Sequence, residues 1–319
     1  MKSKCAVIIG VMAMICFLFA GVTVSLAQGD GKVGQKEWSK IIESKVAEQA
    51  GDKAIINYED GYVEAIGTGA VDPAKVRGTN ARPMCLRAAQ VDGYRNLLEA
   101  TKGVQIDSQT TVRDFITESD VINAAVSGFV KGAQVINKDY LSDGTCEVTL
   151  RMSLSGKFAQ TIIPKAIQEE QKRQPLPPPP PLAAPEPAPA APQPAPAVPQ
   201  PTPASAPVYT GMVVDARGLG ARPAMSPKIV DETGAEVYGS MIVDKTFAVS
   251  QGISGYARDL TAAQGNQRVT NNPVTVKGVS AEGAGKADIK ISSAEAQQIR
   301  AAAENLSFMK KCRVMIVLD

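Results

Sequence analysis

The chain has 319 residues and carries 34 Lys and Arg against 32 Asp and Glu, with no histidine at all. That length allows two domains of ordinary size, and the near-neutral balance excludes a basic footprint for nucleic acid or a polybasic surface for anionic lipid. Without histidine, Ser-His and Cys-His nucleophile pairs and the commonest zinc ligand are also excluded.

At the N-terminus Lys2 and Lys4 precede an uncharged apolar run from Cys5 to Leu26, closed by Ser25-Leu26-Ala27 before polar Gln28. This pattern predicts a secretory signal over residues 1–27; a run of this length also suits a retained membrane anchor. Cys16 follows Ala13-Met14-Ile15, and the isoleucine is too bulky for a lipid-attachment signal. Removing Lys2 and Lys4 with the signal leaves 32 residues of each sign, so the exported chain is expected to be neutral.

Residues 28–173 read as a first α+β domain. The stretch from Gly34 to Ala50 has helical spacing, with Trp38, Ile41, Ile42 and Val46 on one side. A hairpin follows about Asp60-Gly61, the strongest short turn signal in the chain. After the breaker-rich segment 72–83, residues 84–103 read as a helix with Val91, Tyr94 and Leu98 inward and Gly103 as its end. TTVRDFI and the stretch from Gly128 to Tyr140 are expected as strands. Asp143-Gly144 then turns a second hairpin whose return strand faces Cys146, Val148, Leu150 and Met152 inward. A last helix over 157–173 contains Pro164, expected to kink or restart it.

Residues 174–207 are a Pro/Ala-rich tract in which Glu186 is the single charge, and nothing in it can bury a core. Such a composition favours polyproline II and reads as a disordered linker. Fully stretched it reaches about 100 Å, which suits a spacer letting one domain stay at an envelope-anchored assembly while the other reaches a second partner.

Residues 208–319 read as a second α+β domain. Expected are a strand before Asp215, a hairpin about Thr233-Gly234 and a helix over 252–265. Two strands over 272–292, a helix from a Ser292 or Ser293 cap to Met309, and an interior strand from Val314 to Leu318 complete it.

Chemistry is sparse. After signal removal the cysteines are Cys85, Cys146 and Cys312, too scattered for a metal site or a disulfide framework. Burial as small apolar residues is favoured over a Cys85–Cys146 bridge. Carboxylate pairs such as Glu59-Asp60 and Asp231-Glu232 fall at predicted turns and make no acid/base pair, so no catalytic residue, cofactor or metal is predicted. In IGTGA, from Ile66 to Ala70, no helix starts at the glycines, so the segment reads as a strand end or bulge where a neighbour approaches closely and not as a phosphate cradle. DARGLGARP alone has the look of a recognition segment. Asp215 and Arg217 share a strand face, Gly218 and Gly220 allow close backbone approach, and Arg222 follows, so these five are the candidate binding residues, weighed against a glycine turn with a local ion pair.

GYVEAIGTGAVDP, CLRAAQVDGYRNLLEATKGVQID, GFVKGAQVINKDY and CEVTLRMSL, together spanning about residues 58–155, resemble the Lpp-twenty type of outer-membrane lipoprotein domain. They also resemble the N-terminal domain of flagellar assembly protein T. The resemblance implies a non-enzymatic periplasmic domain, with outer-membrane association implied by the lipoprotein case. Envelope proteins, flagellar basal-body ring components among them, are the implied partners. The expected function is accordingly a cell-envelope scaffold or assembly factor, with an envelope ligand- or peptide-binding module as the alternative; membrane contact is expected through the signal or anchor alone.

Overall fold

The computed structural model describes residues 33–71, 80–173, 208–301 and 305–319. The predicted signal, most of the breaker-rich segment 72–83 and the proline tract lie outside them.

The first domain runs α1 (Val33–Ser44), β1 (Ala47–Gln49), β2 (Ala54–Asn57), β3 (Tyr62–Ala70), α2 (Ala81–Lys102), α3 (Val112–Glu118), α4 (Asp120–Lys131), β4 (Gln134–Tyr140), β5 (Thr145–Ser153) and α5 (Lys157–Arg173). Its strands form an antiparallel sheet in the order β1-β2-β3-β5-β4. The Asp60-Gly61 turn is closed by Asn57, whose Oδ1 accepts from Asp60 N at 2.9 Å and whose Nδ2 donates to Asp60 Oδ2 at 2.9 Å. Alternation along β3 then sends Val63 and Ala65 into the main core and Ile66 into a small cluster with Trp38 and Ile55 under α1. Beside that cluster buried Glu64 accepts from Trp38 Nε1 at 2.9 Å and from Arg151 at 2.8 and 3.0 Å.

Helix α2 lies on β3 and β5 through Cys85, Ala89, Gly93 and Leu97 rather than through the expected Val91, which is 48% exposed. Small residues win because the helix backbone touches the strand: a Cβ at Gly67 would overlap Ala89 O and Gly93 N, and one at Gly69 would overlap Cys85 O. The same closeness overturns the expectation of free thiols. Cys146 pairs across the sheet with Gly69, and Cys85 sits directly above that glycine with its Sγ 3.4 Å from Gly69 O. The two Cα atoms come within 5.8 Å and the sulfurs are bonded.

Other local readings also change. TTVRDFI is the helix α3, whose β-branched residues are outweighed by a capping box in which Thr111 and Asp114 satisfy each other's backbone. Gly128 to Lys131 end helix α4, and the strand begins only at Gln134. Helix α1 stops at Ser44, freeing Val46 for the core. Pro164 stays inside an unbroken α5, held by a buried face that includes Phe158, Ile162, Ile163 and Ile167.

The second domain runs β6 (Gly211–Asp215), β7 (Ile229–Val230), β8 (Glu236–Tyr238), α6 (Lys245–Gln251), β9 (Gly255–Ala257), α7 (Leu260–Gln264), β10 (Pro273–Glu282), β11 (Asp288–Ile291), α8 (Ser293–Arg300), α9 (Asn305–Lys310) and β12 (Val314–Val317). These strands make a mixed sheet in the order β8-β7-β11-β10-β6-β12-β9, with β10, β6, β12 and β9 mutually parallel. β12 is an interior strand between β6 and β9 and is wholly buried, as its apolar run predicts. Where one helix was expected over 252–265, Tyr256 and Ala257 belong to β9 and only α7 is helical. Ser292 caps α8 with Glu295 in a capping box, and the helical stretch expected through Met309 is divided into α8 and α9. Both domains are α+β.

The two sheets do not stand apart as separate cores. One continuous apolar cluster runs from Ile56, Tyr58 and Ile163 into Val237, Ile253 and Tyr256. Main-chain bonds cross the junction from Met225 N to Gln105 O at 3.0 Å, from Ser226 N to Ile106 O at 2.7 Å and from Gly285 N to Ser108 O at 2.6 Å. At Gly285 a side chain would strike the Gln105 amide and crowd Ser108 O, so the bare position lets the β10–β11 turn close on the first domain without displacing Gln105.

Candidate functional site at the domain junction

The junction is held by polar side chains from widely separated parts of the chain. Arg222 grips Glu48 with two bonds of 3.0 Å. Arg258 donates to Lys45 O at 2.9 Å and Ile42 O at 2.8 Å, capping the carbonyl end of α1 with a positive charge. Lys228 Nζ meets the buried carboxylate of Glu170 at 2.9 Å, and Ser108 Oγ donates to Asp288 Oδ2 at 2.5 Å. Burial raises the Asp288 carboxyl above its usual range, the Ser108 hydrogen bond opposing the rise, and its Oδ1 is buried without a hydrogen bond.

Between these ties the domains leave a cleft of about 280 Å³. Its floor is apolar, from Leu154, Ala159 and Ile163 on one side and Ala224 and Met225 on the other. Glu59 and Asp60 form one wall, with Lys45 Nζ 2.6 Å from Asp60 Oδ2 and Val46 N 3.1 Å from Glu59 Oε2. Tyr58 and Tyr256 meet edge to face, ring centroids 6.3 Å apart. Both hydroxyls are engaged by backbone: Gln105 N donates to Tyr58 at 3.0 Å, while Tyr256 accepts from Ala224 N at 2.9 Å and donates to Ala224 O at 2.7 Å. Burial pushes the Tyr256 phenol up to about 12 and Tyr58 higher still, so neither is a base at neutral pH.

Arg268 also lines the cleft. Its guanidinium donates to Cys312 O at 2.9 Å, to Gly252 O at 3.2 Å and to Gln251 O, and no carboxylate lies within ion-pair distance among the described residues. Burial lowers its pKa from the ordinary arginine value, and the side chain still carries an uncompensated charge facing the cleft. Ser254 also lines the cleft, its Oγ buried beside the Tyr256 phenol without a hydrogen bond of good geometry.

The five residues singled out by sequence lie elsewhere. Asp215 and Arg217 close on each other at 2.7 and 2.8 Å, which holds the Asp215 carboxyl below its usual range. Gly218 and Gly220 turn the chain with φ of 77° and 62°, and Gly218 N donates to Asp319 Oδ2 at 2.6 Å. Arg222 is committed to Glu48. None of the five lines the cleft, and only Arg222 touches the junction. Tyr58, Ser254, Tyr256 and Arg268 were not singled out because no motif joins residues so far apart in the chain; Arg268, inside the unremarkable GNQRVT, left no signal.

Residues 211–319 match a family described as Treponema pallidum Tp0624, second domain. The match covers β6 to β12, hence the whole second sheet. No curated protein matches the chain.

Proposed function

We propose that the chain is an exported, non-enzymatic cell-envelope scaffold or assembly factor whose two domains act as one docked body. The junction carries this reading. Domains separated by the long proline tract share a core and main-chain hydrogen bonds, and most polar groups at the junction are spent on holding the pair together. Such a body presents a composite surface that neither domain has alone. A disulfide in the first domain suits an oxidising compartment, in keeping with the N-terminal signal. The periplasmic location and a partner among flagellar basal-body proteins are part of this proposal.

Undocking tests it. Lys228→Glu sets a second carboxylate against Glu170, so it should separate the domains while leaving each folded. Introduced into a deletion strain, it should fail to restore the envelope phenotype and lose the cross-linked partners seen with the parent. Full restoration by a chain shown to be undocked would refute a role for the composite surface.

The second reading, an envelope ligand- or peptide-binding module, is favoured by the cleft itself, which joins an apolar floor to an unneutralised arginine.

A further inference from the structure

Three features of the cleft point to one ligand chemistry. First, Arg268 is the only cation among the described residues lining the cleft, and its bonds go to carbonyl oxygens, which neutralise none of its charge. A buried guanidinium is usually paired with a carboxylate, because desolvating an unpaired charge is costly. Second, Ser254 Oγ lines the same cleft and is buried beside the Tyr256 phenol without a hydrogen bond of good geometry, which leaves its hydroxyl open to a ligand. Third, the floor between the domains is aliphatic and about 280 Å³ is open above it, the scale of a small ligand or the last residues of a peptide.

We propose that the junction cleft binds a carboxylate carried on a short apolar body, the carboxylate at Arg268 and Ser254 and the body along Leu154, Ile163, Ala224 and Met225. This rests on the binding-module reading. Glu59 sets the direction: with Asp60 neutralised by Lys45, its carboxylate is the one that disfavours a ligand carboxylate on its own side of the cleft. A charge-assisted bond from a guanidinium to a carboxylate supplies affinity that an amide of the same shape lacks. Because each domain contributes one side of the floor, a bound ligand also favours the docked pair by mass action.

Titration calorimetry of the purified protein provides the test, with N-acetyl-trialanine as the free acid, the same peptide as its C-terminal amide, and hexanoate. The free acid is expected to bind and the amide to bind at least about tenfold more weakly, the scale of one lost charged hydrogen bond. Binding of hexanoate extends the site to carboxylates at large, and its silence restricts it to peptide ends; both outcomes keep the assignment. Arg268→Gln should abolish binding of the acid. Because that residue also ties three carbonyls, Ser254→Ala serves as the second variant. It removes only the contact with the Tyr256 phenol, which the Ala224 backbone holds in any case, and should weaken the acid several-fold while moving the melting temperature little. Equal binding of acid and amide would overturn the carboxylate assignment while leaving a binding module standing. Heat from none of the three probes at millimolar concentration would overturn both.

Discussion

Breaking the Cys85–Cys146 bond should cost the protein a large share of its stability, and the size of the loss follows from the loop it closes. The cysteines are 61 positions apart. Chain-entropy arithmetic for a loop of that length gives about 4 kcal/mol from the restricted unfolded state. Both sulfurs are buried under α2, so the bond is best removed by reducing the protein in denaturant and refolding it under reductant. Oxidised and reduced protein then differ only in the bond and two hydrogens. With a urea slope of about 2 kcal/mol per molar, the midpoint of the first domain's transition should fall by about 2 M. The slope itself should rise, because the reduced unfolded chain exposes more surface. Circular dichroism with tryptophan emission from buried Trp38 follows the transition. A midpoint shift below about 0.5 M, with the bond verified by mass, would refute the view that the bridge acts by constraining the unfolded chain.

Other outcomes follow from single residues. Thiol counting in denaturant, on exported protein never exposed to reductant, should find Cys312 alone; its thiol, pushed up to about 11 mainly by burial, should resist alkylation in the native state. Gly67→Ala should cost about 3 kcal/mol or more in urea denaturation, since the new methyl overlaps the α2 backbone, which cannot yield like a side chain. Asp288→Asn should flatten the pH dependence of stability. The Asp288 carboxyl is raised in the fold, so the folded state holds its proton longer than the unfolded chain does, and stability falls as pH climbs from the unfolded carboxylate value through the folded one. Parent and variant urea midpoints at pH 4 and pH 7 check the sign, with the variant gaining relative to the parent at the higher pH. Replacing the proline tract with Gly/Ser of equal length should leave docking unchanged, because the junction and not the tether sets the domains' positions.

What the sequence disclosed was mostly what local chemistry dictates. Asp60-Gly61, Asp143-Gly144 and Thr233-Gly234 each turn a hairpin where expected, since those residue pairs accept the backbone angles such turns need. The IGTGA glycines announced a close neighbour, which proved to be α2. Misreadings arose where one local signal masked another: TTVRDFI looked like a strand by composition, although Thr111 and Asp114 already spelled a capping box. The inward face of α2 was unreadable because it is written in Ala, Gly and Cys, and their burial follows from a bare strand beneath them. The junction was out of reach altogether. Glu48 and Arg222 stand 174 residues apart, and nothing in either segment names the other.

If the two domains dock on each other without needing the tether, they should stay together once the tether is cut. A protease site placed between Ala190 and Ala191 leaves both folded domains intact after cleavage. The two fragments should co-elute as a single species in size-exclusion chromatography at micromolar concentration, and Lys228→Glu should separate them. Two independent peaks from the cleaved parent, each with native circular dichroism, would contradict such docking.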